Sequence, residues 1–298
     1  MANYSIEKSK EGILLVRTNV EHLKLRSIEG LCTADQKNPN SLRDIKTYQE
    51  QVLNPGISSG AINDGTSSPF DDRKMRYHSS SIYNETLEIA FGFSHYAEYK
   101  VPFKRNTAEN EFLRNKGKRE FNDQYAYFAR APGVAALVLS SEGHPILGER
   151  TVAMEEGQSD QYQGLLHAVG GHLDFRQDPR SVKIEEDVLR ELGEFGISHK
   201  SVKSMIFVGL YANPKIFDSD LDFTYIVSTD LPSNYFTLGR WEENATKKKE
   251  KEHKNLVALQ TFEAVENLLH GGKLPSNNKC WDIIFSTRAA LCSLKIFI

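Results

Sequence analysis

Val134-Ala-Ala-Leu-Val-Leu139 is the stretch that most restricts how this chain can fold. An almost uninterrupted apolar run of strand length suits a strand covered on both faces, and such strands sit in sheets layered between helices. The residues around it carry alternating signals. Ser141 to His144 reads as a turn, Pro145 to Arg150 as a partner strand, and Gly164 to Val169 leads into the pair Gly170-Gly171. Val182 to Glu194 has helical periodicity, and Met205 to Tyr211 and Phe223 to Val227 read as strands. The run Lys247 to Lys254 mixes signs and reads as an exposed loop, followed by helices over Leu256 to Leu269 and Trp281 to Leu294. The expectation is an α/β fold with a mixed sheet between helices, from residue 123 to residue 298.

Residues 1–122 read differently, as a smaller N-terminal α+β domain. Gly12 to Arg17 suits a short strand, Ser41 to Val52 a helix with Ser41 as its cap, and Asn54 to Pro69 a long exposed loop. Arg76 to Ile82 and Leu87 to Phe93 alternate as two strands joined by a turn at Asn84-Glu85, with an amphipathic helix from Thr107 to Lys116 after them.

Composition narrows the function classes. Of the 298 residues 39% are hydrophobic and 26% charged, an ordinary globular balance, and the net charge of −3 argues against a nucleic-acid partner. An anionic small substrate would instead be held by local cations or a metal. Cys32, Cys280 and Cys292 are odd in number and have no CxxC spacing, which argues against a disulfide framework and a structural zinc. The N-terminus lacks the apolar run of a signal peptide and no stretch has membrane-spanning length, so a cytoplasmic protein with no membrane partner is expected. The oligomeric state is left open.

The chemistry concentrates between Gly170 and Ile197, where a glycine pair precedes an acid-rich helix that a glycine closes. Residues three or four apart share a helix face, so Asp187, Glu191 and Glu194 can turn toward one cleft, and Glu186 is spaced to orient Arg190. Clustered carboxylates disfavour their own joint ionisation unless a cation is present. Their hard oxygens suit Mg²⁺, with Mn²⁺ as an alternative. Such a metal binds phosphates, activates water and offsets the charge that repels a nucleophile from a diphosphate.

This segment resembles the Nudix box, Gly-x5-Glu-x7-Arg-Glu-aliphatic-x-Glu-Glu-x-Gly-aliphatic. Gly171 matches its opening glycine, Arg190-Glu191-Leu192 its core, and Glu194 with Gly196-Ile197 its end. Three departures stand out. The interval from Gly171 to Arg190 is lengthened to 19 positions, Gln177 takes the place of the first glutamate, and Glu194 is followed by Phe195 with a residue deleted before the glycine. One expected metal ligand is thereby lost, for which Asp187 or an acid outside the box could substitute. Arg76 to Ile82, Phe91 to Tyr96, Ala126 to Val134, Gly164 to His172 and Asp222 to Val227 together resemble an atypical Nudix subgroup, the UDP-glucose pyrophosphatases with an extra N-terminal domain.

The resemblance implies a Nudix-type α/β/α sandwich and Mg²⁺-dependent hydrolysis of UDP-glucose or UDP-galactose to UMP and hexose 1-phosphate. It implies catalytic roles for Glu191, Glu194 and Arg190, with metal held by Glu191 and Glu194 and helped by Asp187 and Asp222. Gly170 and Gly171 would let backbone approach the diphosphate. His172, Arg150, His78 and Tyr127 are candidate substrate contacts. Each has a plainer reading: Asp222 as a strand-edge acid, Arg150 as a surface arginine, the histidines as structural, and Tyr77, Tyr96 and Tyr127 as core. Two alternatives remain beside the nucleotide sugar. One is another Nudix pyrophosphatase acting on ADP-ribose, a dinucleotide or a coenzyme A compound. The other is a non-catalytic nucleotide-sugar-binding protein.

Overall fold

In the computed structural model of the chain, the described residues are 5–8, 14–17, 22–25, 73–83, 86–95, 107–150, 164–174, 183–212, 221–245, 253–270 and 283–297. The helix and loop expected between Ser41 and Pro69 lie outside them, as do Tyr96, Cys32 and Cys280.

The apolar run becomes β6 (Pro132–Leu139), an inner strand of a seven-stranded mixed sheet. The sheet also holds β7 (Pro145–Arg150), β8 (Leu166–His167), β9 (Val169–His172), β10 (Val202–Ala212), β11 (Leu221–Thr229) and β12 (His253–Ala258), in the order β10-β11-β6-β7-β12. β8 pairs with β7 and β9 with β6. Only the β11–β6 pairing is parallel within this sheet as described. Alternation along β6 sends Val134, Ala136 and Val138 into one core and Leu137 into another, which is why the run has to be apolar throughout.

Helices cover both faces. α2 (Ile184–Glu194) inserts Ile184, Val188 and Leu192, at helical spacing, into the first core. Gly196, at φ +68°, ends it in the left-handed conformation, with Ile197 N–H donating back to Leu192 O. The second core is closed by α5 (Phe262–Leu269) through Val265 and Leu268 and by α6 (Phe285–Phe297) through Ala290, Leu291 and Leu294. The expected sandwich of a mixed sheet between helices is the fold observed. Two one-turn helices, α3 (Ser233–Thr237) and α4 (Trp241–Asn244), follow β11.

Ahead of this sheet lie a pair of short strands, β1 (Ser5–Lys8) and β2 (Leu14–Arg17), and a sheet of β3 (His22–Leu25), β5 (Thr86–His95) and β4 (Arg73–Tyr83). β4 and β5 are the expected hairpin, closed by the Tyr83–Thr86 pairing. Its Met75, Tyr77, Ile89 and Phe91 belong to the same core as α2. Arg76, buried, donates from Nε to Phe128 O at 3.1 Å and from Nη2 to Tyr125 O at 2.8 Å, and pairs with Asp123 at 3.6 Å. The hairpin and the segment around residue 123 are therefore one packed unit. α1 (Thr107–Phe121) runs past the expected end at Lys116.

Three element expectations need correcting. Leu256 to Leu269 is not one helix: Leu256, Val257 and Ala258 pair with Gly148, Leu147 and Ile146 as the end of β12, and the helix starts at Phe262. Short apolar runs fit either period, and here the open edge of β7 takes up the hydrogen bonds. Thr261 Oγ1 then accepts from Ala264 N–H at 3.1 Å and caps the new helix. The same strand absorbs His253 and Lys254 from the expected exposed loop, and His253 is buried. The last helix begins at Phe285 instead of Trp281, after Ile283 makes a lone parallel bridge to Leu166.

Candidate functional site

The candidate site forms where α2 crosses the end of β9. Asp187 and Glu191 lie on the helix's buried face beside Val188 and Leu192, and Glu191 is 6% exposed. Its carboxylate rests on Gly171. A Cβ there would collide with Glu191 Oε1 and lie 2.6 Å from its Cδ, so only glycine allows helix and strand to approach this closely. Gly170 meets a similar limit at the carbonyl of Val134. The glycine pair thus makes room for the protein's own atoms.

Arg190 ties the cluster together. Nη1 lies 2.7 Å from Glu191 Oε1 and 3.4 Å from Glu194 Oε1, and Nε lies 3.1 Å from Asp174 Oδ2 and 3.9 Å from Asp187 Oδ1. Nη2 donates to the carbonyl of His172 at 3.2 Å. One planar fork thereby joins the helix to the strand end it covers. Burial works against its charge, but Glu191, Asp174 and Asp187 outweigh that and raise the guanidinium pKa. Glu186 does not orient Arg190 as its spacing suggested. It points to solvent and pairs with Lys183 at 2.6 Å, because Arg190 turns toward the sheet.

Asp222 is not part of this cluster. Along β11 Leu221, Phe223, Tyr225 and Val227 face α2, so Asp222 falls on the opposite face with Ile226. There it reaches over Gly133, where a Cβ would strike Asp222 Oδ1 and come within 2.9 Å of Gly171 O. Asp222, Gly133 and His172 are paired in register across three strands, so His172 shares Asp222's face.

Among the described residues no three His, Cys, Asp or Glu side chains form a ready metal-ligand set. The donors nonetheless suit a hard cation. Oxygens of Glu191 and Glu194 already converge on one cationic atom, Nη1 of Arg190, and Mg²⁺ asks for carboxylate oxygens in the same converging arrangement, about 2.0–2.1 Å from the metal.

The other candidates are dispersed. Tyr127 is buried beneath α1, donating to Glu120 at 2.7 Å with Lys116 over its ring, away from the carboxylates. His78 sits at the register shift between Tyr77 and Ser79 in β4, and its side chain is outside those described. Tyr77 packs in the first core and its ring holds the Arg130 guanidinium.

Arg150 ends β7 on the α2 face, beside a pair that sequence reading missed. His167 Nδ1 and His253 Nε2 are 3.3 Å apart, both rings buried and nearly parallel at 10°. Gly148 permits the contact, since a Cβ there would fall 2.7 Å from His253 Cγ. Burial first, then the charge of Arg150, keeps His253 near a pKa of about 3, and burial first, then repulsion from a proton on His253 and from Arg150, keeps His167 well below the ordinary value. Both are neutral at pH 7, so one ring donates its N–H to the other. Phe195, where the usual box would have an acid, caps His253 at 4.4 Å and packs on Trp241 at 6.1 Å. The sequence offered only a glycine inside a strand, Gly148, as a local signal.

No protein-family model and no curated protein matches the chain. Among solved structures it is similar to a mutT/nudix family protein from Listeria innocua, with 15% identity and a TM-score of 0.36 over 56% of this chain and 92% of that one. A MutT protein from Methanosarcina mazei Go1 has 15% identity and a TM-score of 0.32 over 56% and 94% of the two chains. A NUDIX-family hydrolase from Clostridium perfringens has 15% identity and a TM-score of 0.29 over 57% and 99%. Likenesses this distant do not fix an activity, which has to come from the residues of this chain.

Proposed function

We propose that this chain hydrolyses the diphosphate bond of a nucleotide sugar, UDP-glucose or UDP-galactose first, with Mg²⁺, releasing UMP and hexose 1-phosphate. One observation carries the reading: Arg190 gathers Glu191 and Glu194 at the end of a glycine-paired strand, with Glu191 lying on Gly171. Glu191 and Glu194 would hold the metal, with Asp187 beside them; bound there, Mg²⁺ offsets phosphate charge and lowers the pKa of a water. Arg190 orients the two glutamates through a fork that a lysine cannot reproduce. Arg150 supplies a cation on the same face of the sheet for a phosphate oxygen. Overall, water adds to one phosphorus and releases a proton to solvent, the bridging P–O bond breaks, and the leaving phosphate takes the electron pair. A substrate series of UDP-glucose, UDP-galactose, ADP-ribose and ADP-glucose, with and without Mg²⁺, tests this. Metal-dependent UMP release is expected, and turnover of an adenine substrate alone would overturn the substrate assignment.

A second reading has its own support. Phe195 is buried against His253 and Trp241, so this position cannot provide a carboxylate to a metal. A nucleotide-sugar-binding protein without turnover would be stabilised against heat by a UDP-sugar yet release no UMP.

A further inference from the structure

α2 borders a cleft of about 700 Å³ that reaches to α3 and α4. Small-ligand pockets span roughly 300–1,000 Å³. Gly193 and Gly196 add no side chains to this cleft, while Leu189, Ile197, Leu231 and the Tyr235 ring give it apolar walls. These apolar residues and the glycine-lined space can take a planar ring, while Glu186, Ser198, His199 and Ser201 make the rest of the lining polar.

Its polar edge is fixed by hydrogen-bond accounting. Tyr235 Oη has one hydrogen and donates it to the carbonyl of Gly196 at 2.6 Å, which can only accept. The 3.1 Å contact with Asn244 must then run from Asn244 Nδ2 to Tyr235 Oη. This settles the amide orientation: Nδ2 faces Tyr235 with one hydrogen, leaving its second N–H and Oδ1 as a donor–acceptor pair on an exposed side chain. That pair complements the donor–acceptor edge of a nucleobase, in the way an asparagine reads adenine.

We propose that this cleft is a nucleobase-binding site, read by the Asn244 carboxamide and walled by Tyr235 and Leu231. Arg190 borders the cleft and holds Glu191 and Asp174 with its guanidinium, so a bound base lies next to the residue that orders the carboxylates. The base is either that of the substrate or that of a separate nucleoside. The site stands apart from the hydrolase reading, because it needs no diphosphate and no metal.

Calorimetric titration of uridine and of adenosine into the full chain without Mg²⁺ tests it, alongside Asn244→Ala and Asn244→Asp. Saturable one-site binding of at least one nucleoside is expected, weakened about fivefold or more in both variants. Asn244 is exposed, so both variants should melt at the wild-type temperature. Absence of saturable binding up to millimolar nucleoside, or wild-type affinity in both variants, overturns the site. Its source follows from kinetics. If the base belongs to substrate, the nucleoside competes with UDP-glucose and Asn244→Asp raises KM with kcat unchanged. If it belongs to a separate nucleoside, the rate changes without competition. A chain that turns over nothing leaves the titration intact.

Discussion

Acidification should cost this protein stability through a group the proposed chemistry does not use. His253 is neutral in the fold, with a pKa of about 3, whereas in the unfolded chain it returns to its ordinary value of 6.5. Between those values the unfolded state binds more protons, so stability is full above pH 6.5 and falls as the pH drops toward 3. At pH 5 the folded ring is still neutral, so the loss depends only on the gap between pH 5 and 6.5, about 2 kcal/mol for this one group. His167, also held well below its ordinary value, acts in the same direction. Urea unfolding at pH 7, 6 and 5, for wild type and His253→Phe, would measure this. The phenyl ring keeps a ring over Gly148 and against Phe195 but cannot titrate. The variant starts less stable, because His167 Nδ1 loses its partner, at a cost of about 1–3 kcal/mol. Its loss on going from pH 7 to pH 5 should nevertheless be smaller than the wild type's by about 2 kcal/mol. Parallel pH profiles for the two proteins would refute the buried neutral pair.

Three further outcomes follow from the geometry. Gly171→Ala places a methyl group against the Glu191 carboxylate; displacing it by about 1 Å should reduce turnover of UDP-glucose on the order of 100-fold while the chain stays folded by circular dichroism. Arg190→Lys keeps the charge but not the planar fork, so kcat should fall at least about tenfold with little change in melting temperature, and wild-type kcat would contradict the positioning role. Arg76→Met removes the guanidinium that holds the Phe128 and Tyr125 carbonyls and Asp123, and denaturant unfolding should show a loss of roughly 3–5 kcal/mol in a single transition.

Much of the fold is written in periodicity that local rules can read. The apolar run ending at Leu139 announced a strand with two covered faces, and the i, i+4 pattern of Ile184, Val188 and Leu192 announced the helix above it. Leu256 to Leu259 misled because four apolar residues fit a strand or a helix equally, and the deciding factor was the free edge of β7, a non-local fact. The same limit applies at the site. Asp187, Glu191 and Glu194 share a helix, so their grouping follows from spacing alone. Asp222 is set by a parallel pairing with β6, and strand parity turns it to the far face. Asp174 was passed over because Arg190 reaches it from 16 positions along the chain. His167 and His253, 86 positions apart, meet only because β8 and β12 both border β7.

If the carboxylates gathered by Arg190 cleave a diphosphate with a metal's help, turnover depends on the charge of Glu191. The most direct test is chromatographic product analysis of UDP-glucose incubated with Mg²⁺ and either wild type or Glu191→Gln. The amide is nearly isosteric with the carboxylate on Gly171 but lacks its charge, so the fold should persist. UMP and glucose 1-phosphate from the wild type, and neither from the variant, is the predicted result. Equal product from both would contradict the assignment of Glu191.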